Sequence, residues 1–163
     1  MGCVIGISLI LLGPTISGLL WRASHAHSVS FDGYQIAVPF PFLLRAQRDG
    51  MQLLRLRPAW AWPFYRGESI LITRNQRHNN VERWRADAES AVEGQGSTGV
   101  NAFDLQFAGS PVRCIQTAQH GGQVQTSIVC VNNGDLILQY FGDDRGVSGF
   151  RQFLNNGIRP ANP

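Results

Sequence analysis

The stretch from Ser110 to Gly142 constrains the fold most strongly, because it predicts three consecutive antiparallel strands. Two runs rich in β-branched residues, Pro111–Gln119 and Gln123–Val131, are separated by a His-Gly-Gly turn. A third run, Leu136–Phe141, follows Asn133-Gly134, a dipeptide that tolerates the positive φ required at both central residues of a type I′ turn. We expect the rest of the chain to cover or extend this meander.

Further strand signals lie on both sides of a helical segment. Asp49-Gly50 is a second hairpin signal, and it leads into the strand Met51–Arg57. The other predicted strands are Tyr34–Val38, Glu68–Arg74 and Asn101–Phe107. We therefore predict an α+β fold, in which an antiparallel β-sheet of about six to seven strands is covered by two helices and preceded by an N-terminal apolar helix.

Two segments carry the 3.6-residue period of amphipathic helices. The first should run from Asn80 to about Glu93, with Asn79 as its N-cap and Glu82 completing a capping box. The second should run from Val147 to Asn155 and end before a glycine. Its inward-facing residues are Phe150, Phe153 and Leu154. Both helices should lie on the sheet.

The first 21 residues, Met1–Trp21, contain no charged side chain. As a helix rising ~1.5 Å per residue, this segment just spans a hydrocarbon core of roughly 30 Å. We expect residues 1–21 to be a transmembrane anchor or an uncleaved signal, residues 22–30 a polar spacer, and residues 31–160 one α+β domain. The alternatives are a signal peptide cleaved after Ser24-His25-Ala26, although no basic residue precedes the apolar run, and a buried core helix.

All 14 basic residues are arginines, and they are unevenly distributed. Residues 45–85 contain nine arginines against three acidic residues. A basic half can attract phosphates, anionic lipid or an acidic partner, but it can equally be the solvated face of a sheet. The hypothetical basic surface consists of Arg55, Arg57, Arg74 and Arg77.

The segment between the second and third predicted strands is rich in aromatic residues. Aromatic side chains together with arginine are typical of interface hot spots, of stacking platforms for single-stranded nucleic acid and of membrane headgroup belts. The alternative is a long hairpin loop that packs its own rings on the domain. The hypothetical partner-binding residues are Trp60, Trp62, Phe64, Tyr65 and Arg66.

Cys114 and Cys130 lie on the first two strands of the meander, equidistant from Gly122. If the connecting loop has three residues, the two cysteines lie directly opposite each other and can form a disulfide. With a two-residue loop Cys114 would face Val129, and two buried thiols would remain. A disulfide indicates an oxidising compartment, whereas Arg22 after the apolar run mildly favours a cytoplasmic domain. We expect a periplasmic or extracellular domain.

Motifs for catalysis or cofactor binding are missing from the sequence. The four histidines have no metal-ligand or nucleophile spacing, and we expect no catalytic residue and no metal site. The stretch 94–99 matches G-x-G-x-x-G, but it closes a helix instead of opening one, so we expect no dinucleotide and no other cofactor. A small hydrolase with a site near His120 or Asp143-Asp144 remains an alternative.

Three groups of residues carry a resemblance to a known family. They are Phe31-Asp-Gly-Tyr-x-Ile-x-Val-Pro39, the run Gly134–Phe141, and Phe150-Arg-Gln-Phe-Leu with Ile158-Arg159. In this order, and with the helix in the middle of the chain, the sequence resembles PsbP-like proteins, the extrinsic photosystem subunits and their relatives. The resemblance implies an α/β sandwich that docks without catalysis on a larger, often membrane-bound, assembly. No metal-binding or partner-binding residue of that family has a matching motif here.

Together these features predict a membrane-tethered, exported, non-enzymatic binding or accessory module. Residues 1–21 would attach it to the membrane, and its further partner would be a protein that the sequence does not identify. We do not expect nucleic acid as that partner. The alternative is a basic module that faces the cytoplasm and binds nucleic acid or anionic lipid.

Overall fold

The computed structural model describes residue 20 and residues 22–24, 27–40, 42–55, 67–77, 80–95, 98–121, 123–132 and 136–161. Residues 22–24 are helical. The strands are β1 (Ser28–Phe31), β2 (Tyr34–Ala37), β3 (Phe42–Gln47), β4 (Gly50–Arg55), β5 (Ser69–Arg74), β6 (Thr98–Phe107), β7 (Ser110–Gly121), β8 (Gln123–Asn132), β9 (Leu136–Gly142) and β10 (Ile158–Pro160). The helices are α1 (Val81–Gln95) and α2 (Val147–Asn156), and a 3₁₀ turn (Asp144–Gly146) precedes α2.

The large sheet contains seven strands in the order β3-β4-β5-β9-β8-β7-β6, and every neighbouring pair is antiparallel. The strands β7, β8 and β9 are adjacent and form the meander that the sequence predicts. The α+β class and the dominant antiparallel sheet are therefore confirmed. The predicted N-terminal apolar helix lies outside the described residues, apart from Leu20.

A second sheet of three strands, β1-β2-β10, differs from the single predicted sheet. The predicted strand at Tyr34 belongs to this small sheet, where Ile36 pairs with Val29 on one side and Ile158 on the other. Its strands have only three or four residues, too few to show an alternating pattern. The sequence therefore did not indicate that a separate sheet exists.

The tight turn between β1 and β2 has the backbone conformation expected of a hairpin turn. Asp32 and Gly33 have φ values of 52° and 79°, as a type I′ turn requires. The Asp49-Gly50 signal also marks a hairpin, but Gly50 pairs with Gln47 and so belongs to β4. A Cβ atom on Gly50 would collide with the Ile72 carbonyl, so glycine permits the close approach of β4 and β5.

Apolar residues lie on both faces of the large sheet. The main core contains Leu53, Ile70, Ile128 and Leu138 from this sheet, packed against buried residues of α2 and the small sheet. A smaller cluster on the opposite face includes Val81 of α1. The large sheet is thus a middle layer, with α2 and the small sheet on one face and α1 on the other.

The two helices start and end close to their predicted positions. The predicted N-cap of α1 is wrong by one residue, because the Asn80 side chain accepts a hydrogen bond from the Arg83 amide at 2.9 Å. In α2 the predicted inward residues are buried. Gly157 follows α2 at a φ of −87°, so it does not adopt the left-handed conformation of a typical C-terminal glycine.

Candidate functional site

A cavity of about 500 Å³ opens at one end of the large sheet, between α2 and the strands β4, β5 and β9. We call this end of the sheet the cavity end; it contains Arg55, Ser69 and Gly142. We call the opposite end the far end; it contains Arg48 and Arg74. The volume is within the range of ligand-binding pockets. The aromatic lining residues are Phe40, Phe42, Tyr140, Phe150 and Phe153, and the charged ones are Arg55, Glu68 and Arg145.

The floor of the cavity contains an ion pair between Arg55 and Glu68. Arg55 Nη1 lies 2.7 Å from Glu68 Oε2, and the Arg55 amide donates to the Glu68 carbonyl at 3.0 Å. The Glu68 side chain is only 4% exposed, whereas that of Arg55 is 41% exposed. Arg55 therefore neutralises a carboxylate that would otherwise be buried without a counter-charge, and it extends from that carboxylate toward solvent.

Tyr140 forms the second polar part of the floor. Its hydroxyl donates to the Asp143 carbonyl at 2.9 Å and lies 3.5 Å from Glu68 Oε1. Its ring stacks on Phe150 of α2, with 5.2 Å between the ring centroids. These contacts fix the orientation of the phenol and join β9 to α2 behind the cavity.

Gly142 and Gly146 permit this close packing. A Cβ atom on Gly146 would collide with the Glu68 carboxylate and the Tyr140 hydroxyl, and one on Gly142 would collide with the same hydroxyl. Between them, Asp143 caps the 3₁₀ turn by accepting from the Gly146 amide at 3.1 Å. The absence of two side chains thus allows the turn to close over the floor.

The rim of the cavity includes an exposed aromatic residue. Phe40 is 67% exposed, and the Arg22 guanidinium lies 5.5 Å from the centroid of its ring. Arg22 Nη1 also donates to the Val38 carbonyl at 3.0 Å. Arg22 therefore holds the residues that precede β1 beside the rim of the cavity.

This arrangement is suited to binding. Aromatic walls offer contact area to an apolar group, and Arg55 and Arg145 place cationic groups beside it. Within the part of the chain that the structure describes, no three His, Cys, Asp or Glu side chains are grouped to hold a metal ion.

The aromatic residues predicted to bind a partner, residues 60, 62, 64, 65 and 66, lie outside the described residues. In the sequence they connect Arg55 to Glu68, the two residues that form the ion pair in the cavity floor. Arg55 and Glu68 themselves are described, and both lie at the cavity end. Its role in binding stays a prediction.

The structure does not gather the predicted basic residues at one place. Arg55 lies at the cavity end, whereas Arg74 lies at the far end, where its Nε is 3.1 Å from Asp32 Oδ1. Arg77 is exposed in the turn that follows β5. Arg57 lies outside the described residues.

The predicted disulfide between Cys114 and Cys130 is present. The two residues are directly opposite in the β7–β8 pair, and both are fully buried. This is the pairing that the three-residue loop centred on Gly122 predicts. The disulfide joins adjacent strands in the main core.

Sequence reasoning missed the cavity and its floor. The sequence places Glu68 and Tyr140 on two predicted strands and gives neither a role in a site. The one available signal was an acidic residue at the start of an apolar strand, where a charge needs a partner if it is buried. The identity of that partner depends on the pairing of β4 with β5, which periodicity does not fix.

No protein-family model matches the sequence, and a comparison with curated proteins gives no match. Among solved structures, the chain is similar to cyanobacterial PsbP (CyanoP) from Synechocystis sp. PCC 6803, with a TM-score of 0.49 and 12% identity over 82% of this chain and 91% of that chain. It is also similar to PA94 of Pseudomonas aeruginosa, a protein of unknown function, with a TM-score of 0.41 and 13% identity over 79% of this chain and 93% of that chain.

The predicted anchor lies almost entirely outside the described residues. Among the described residues, no helix is both long enough and apolar enough to cross a membrane. Of residues 1–21, only Leu20 is described.

Proposed function

We propose that this chain is an exported, membrane-tethered binding module without catalytic activity, and that its partner occupies the cavity at the end of the large sheet. The observation that carries the proposal is the cavity itself. It combines aromatic walls with an Arg55–Glu68 ion pair, and it is built on three strands and a helix. A site held by regular secondary structure presents its contacts in a fixed geometry.

The polar groups of the floor favour binding over catalysis because each has a structural role. The Glu68 carboxylate is the counter-ion of Arg55, and the Tyr140 hydroxyl donates to the Asp143 carbonyl. A general acid or base must instead be within hydrogen-bond reach of the substrate proton that it transfers. We therefore infer that Glu68 and Tyr140 shape the cavity and that the aromatic rings and arginines contact the partner.

The Cys114–Cys130 disulfide supports an exported domain, because disulfides persist in oxidising compartments. The uncharged segment 1–21 supports a membrane tether. In this proposal the aromatic segment 60–66 also contributes to partner binding, since in the sequence it connects Arg55 to Glu68, the residues of the ion pair in the cavity floor.

Blocking the cavity tests the proposal. Gly149 lines the cavity on α2, and a Cβ atom there would meet no atom within 4 Å. Gly149→Trp should fill the opening while preserving the fold, and Gly149→Ala is the matched control. Partners crosslinked to the full chain in its native membranes should be retained by the alanine variant and lost by the tryptophan variant. Retention of every partner by a folded Gly149→Trp chain would contradict the proposed site.

A separate deletion tests the aromatic segment. Removing residues 59–66 should weaken recovery of the same crosslinked partners. If every partner stays bound to a folded deletion variant, the proposed role of this segment is wrong, while the cavity remains testable through Gly149.

A further inference from the structure

Two large apolar side chains are highly exposed among the described residues, and both belong to the same region. Leu20 is 65% exposed and Phe40 is 67% exposed. Leu20 lies two residues before Arg22, and the Arg22 guanidinium lies 5.5 Å from the centroid of the Phe40 ring. Leu20, Arg22 and Phe40 define what we call the tether surface.

The tether surface is attached to the body of the domain. Arg22 Nη1 donates to the Val38 carbonyl at 3.0 Å, across 16 residues of sequence. Val38 is 1% exposed and belongs to the main core. Arg22 therefore holds the residues that precede β1 at a fixed position beside Phe40.

The uncharged sequence ends at the tether surface. Residues 1–21 contain no charged side chain, and Arg22 is the first cation of the chain. In a membrane-spanning segment, the first arginine beyond the apolar run places its guanidinium at the level of the lipid headgroups. The headgroup layer lies outside the hydrocarbon core and is roughly 5–8 Å thick on each side of a bilayer.

We infer that the tether surface lies in the lipid headgroup layer, so that Phe40 contacts lipid and the rim of the cavity faces the membrane. This inference rests on the tether of the proposed function. The separation of 5.5 Å between Arg22 and the Phe40 ring is within the thickness of the headgroup layer. Exposed Phe and Leu side chains beside a basic residue are also typical of protein surfaces that lie in the membrane interface.

The orientation of the sheet follows from this placement. The strand β3 runs from Phe42, two residues after Phe40, to Gln47 at the far end. At roughly 3.3 Å per residue, a five-residue step along this strand covers roughly 17 Å. Arg48, in the turn after β3, therefore lies well beyond the headgroup layer when Phe40 is in it.

Photocrosslinking of the full chain in lipid nanodiscs of phosphatidylcholine and phosphatidylglycerol tests the inference. One variant carries p-benzoylphenylalanine in place of Phe40, and the matched control carries it in place of Arg48, which is also exposed. We expect roughly tenfold more lipid adduct at position 40 than at position 48, because only position 40 reaches the headgroup layer. Equal adduct at the two positions, in chains that co-float with the discs, would overturn the inference and leave the tether intact.

Flotation of the full chain together with the nanodiscs distinguishes the proposed tether from the inferred position of the tether surface. A full chain that does not float with the nanodiscs would contradict the tether, and with it the inferred surface. Hydroxyl-radical footprinting of the unsubstituted chain gives a second readout that does not depend on the folding of a variant. Phe40 should be oxidised more slowly in nanodiscs than Phe31, which lies at the far end beside Arg74. Faster oxidation of Phe40 than of Phe31 in floating chains would overturn the inference.

Discussion

The Arg55 side chain neutralises the buried carboxylate of Glu68, with 2.7 Å between Arg55 Nη1 and Glu68 Oε2. The same two residues are hydrogen-bonded through their backbones, at the point where β4 and β5 leave the large sheet. The Arg55–Glu68 pair therefore closes a hairpin and also forms the floor of the cavity.

Removing only the Arg55 cation should lower the free energy of unfolding more than removing both charges of the Arg55–Glu68 pair. Arg55→Gln leaves the Glu68 carboxylate buried without its counter-charge, and we expect a loss of about 1–3 kcal/mol in the free energy of unfolding. The double variant Arg55→Gln/Glu68→Gln should recover part of this loss, because no buried charge remains. Urea denaturation of the single and double variants measures the coupling. A double variant less stable than Arg55→Gln would contradict this role of the ion pair.

Gly146 should be far less tolerant of a methyl group than Gly149. Gly146→Ala places its Cβ atom against Glu68 and Tyr140, and overpacking of this kind costs about 1–3 kcal/mol. At Gly149 the space is open, so alanine should be neutral or stabilise α2 by up to about 1 kcal/mol. Thermal and urea unfolding of both variants give the comparison. Equal stability of the two would show that the 3₁₀ turn does not pack on the floor as described.

The two asparagines before α1 should differ in their contribution to stability. Asn80→Ala removes the acceptor of the Arg83 amide and should cost about 1 kcal/mol. Asn80→Asp retains an acceptor and should preserve most of the stability. Asn79→Ala, at the position that the sequence predicted as the cap, should have a smaller effect than Asn80→Ala. The opposite order in urea unfolding would restore Asn79 as the cap.

The disulfide should make a large contribution to stability. Cys114 and Cys130 are 16 residues apart, and closing a loop of about 15 residues stabilises a fold by about 3 kcal/mol in the chain-entropy model. Cys114→Ala/Cys130→Ala should lose roughly this amount in urea unfolding, and reductant should destabilise the natural chain but not the variant. Identical unfolding of the natural chain with and without reductant would contradict a stabilising disulfide.

Most of the large sheet could be predicted from the sequence because local signals define its elements. The β-branched runs, the glycine turns and the symmetry of the cysteines around Gly122 locate β7 and β8 and the register between them. The small sheet could not be predicted in this way. Its three short strands come from the two ends of the domain, and β10 has only three residues.

The cavity depends on long-range contacts that have no local signature. Glu68 meets Tyr140 only because β5 pairs with β9, strands separated in the sequence by α1 and the meander. Gly146 looks like an ordinary turn residue in the sequence, and its packing against Glu68 is visible only in three dimensions. Aromatic composition indicates residues 60–66 as candidates for binding, and Arg55 and Glu68, on either side of them in the sequence, form the floor of the cavity.

The oxidation state of Cys114 and Cys130 in native membranes tests most directly whether the domain works outside the cytoplasm. Free thiols are blocked in intact membranes, and the protein is digested with trypsin without reductant. Cleavage after Arg113 and Arg145 leaves both cysteines in one peptide, residues 114–145. We predict that this peptide carries no blocking group and is two hydrogen atoms lighter than the dithiol. A peptide blocked at both cysteines would contradict an exported, disulfide-bonded domain.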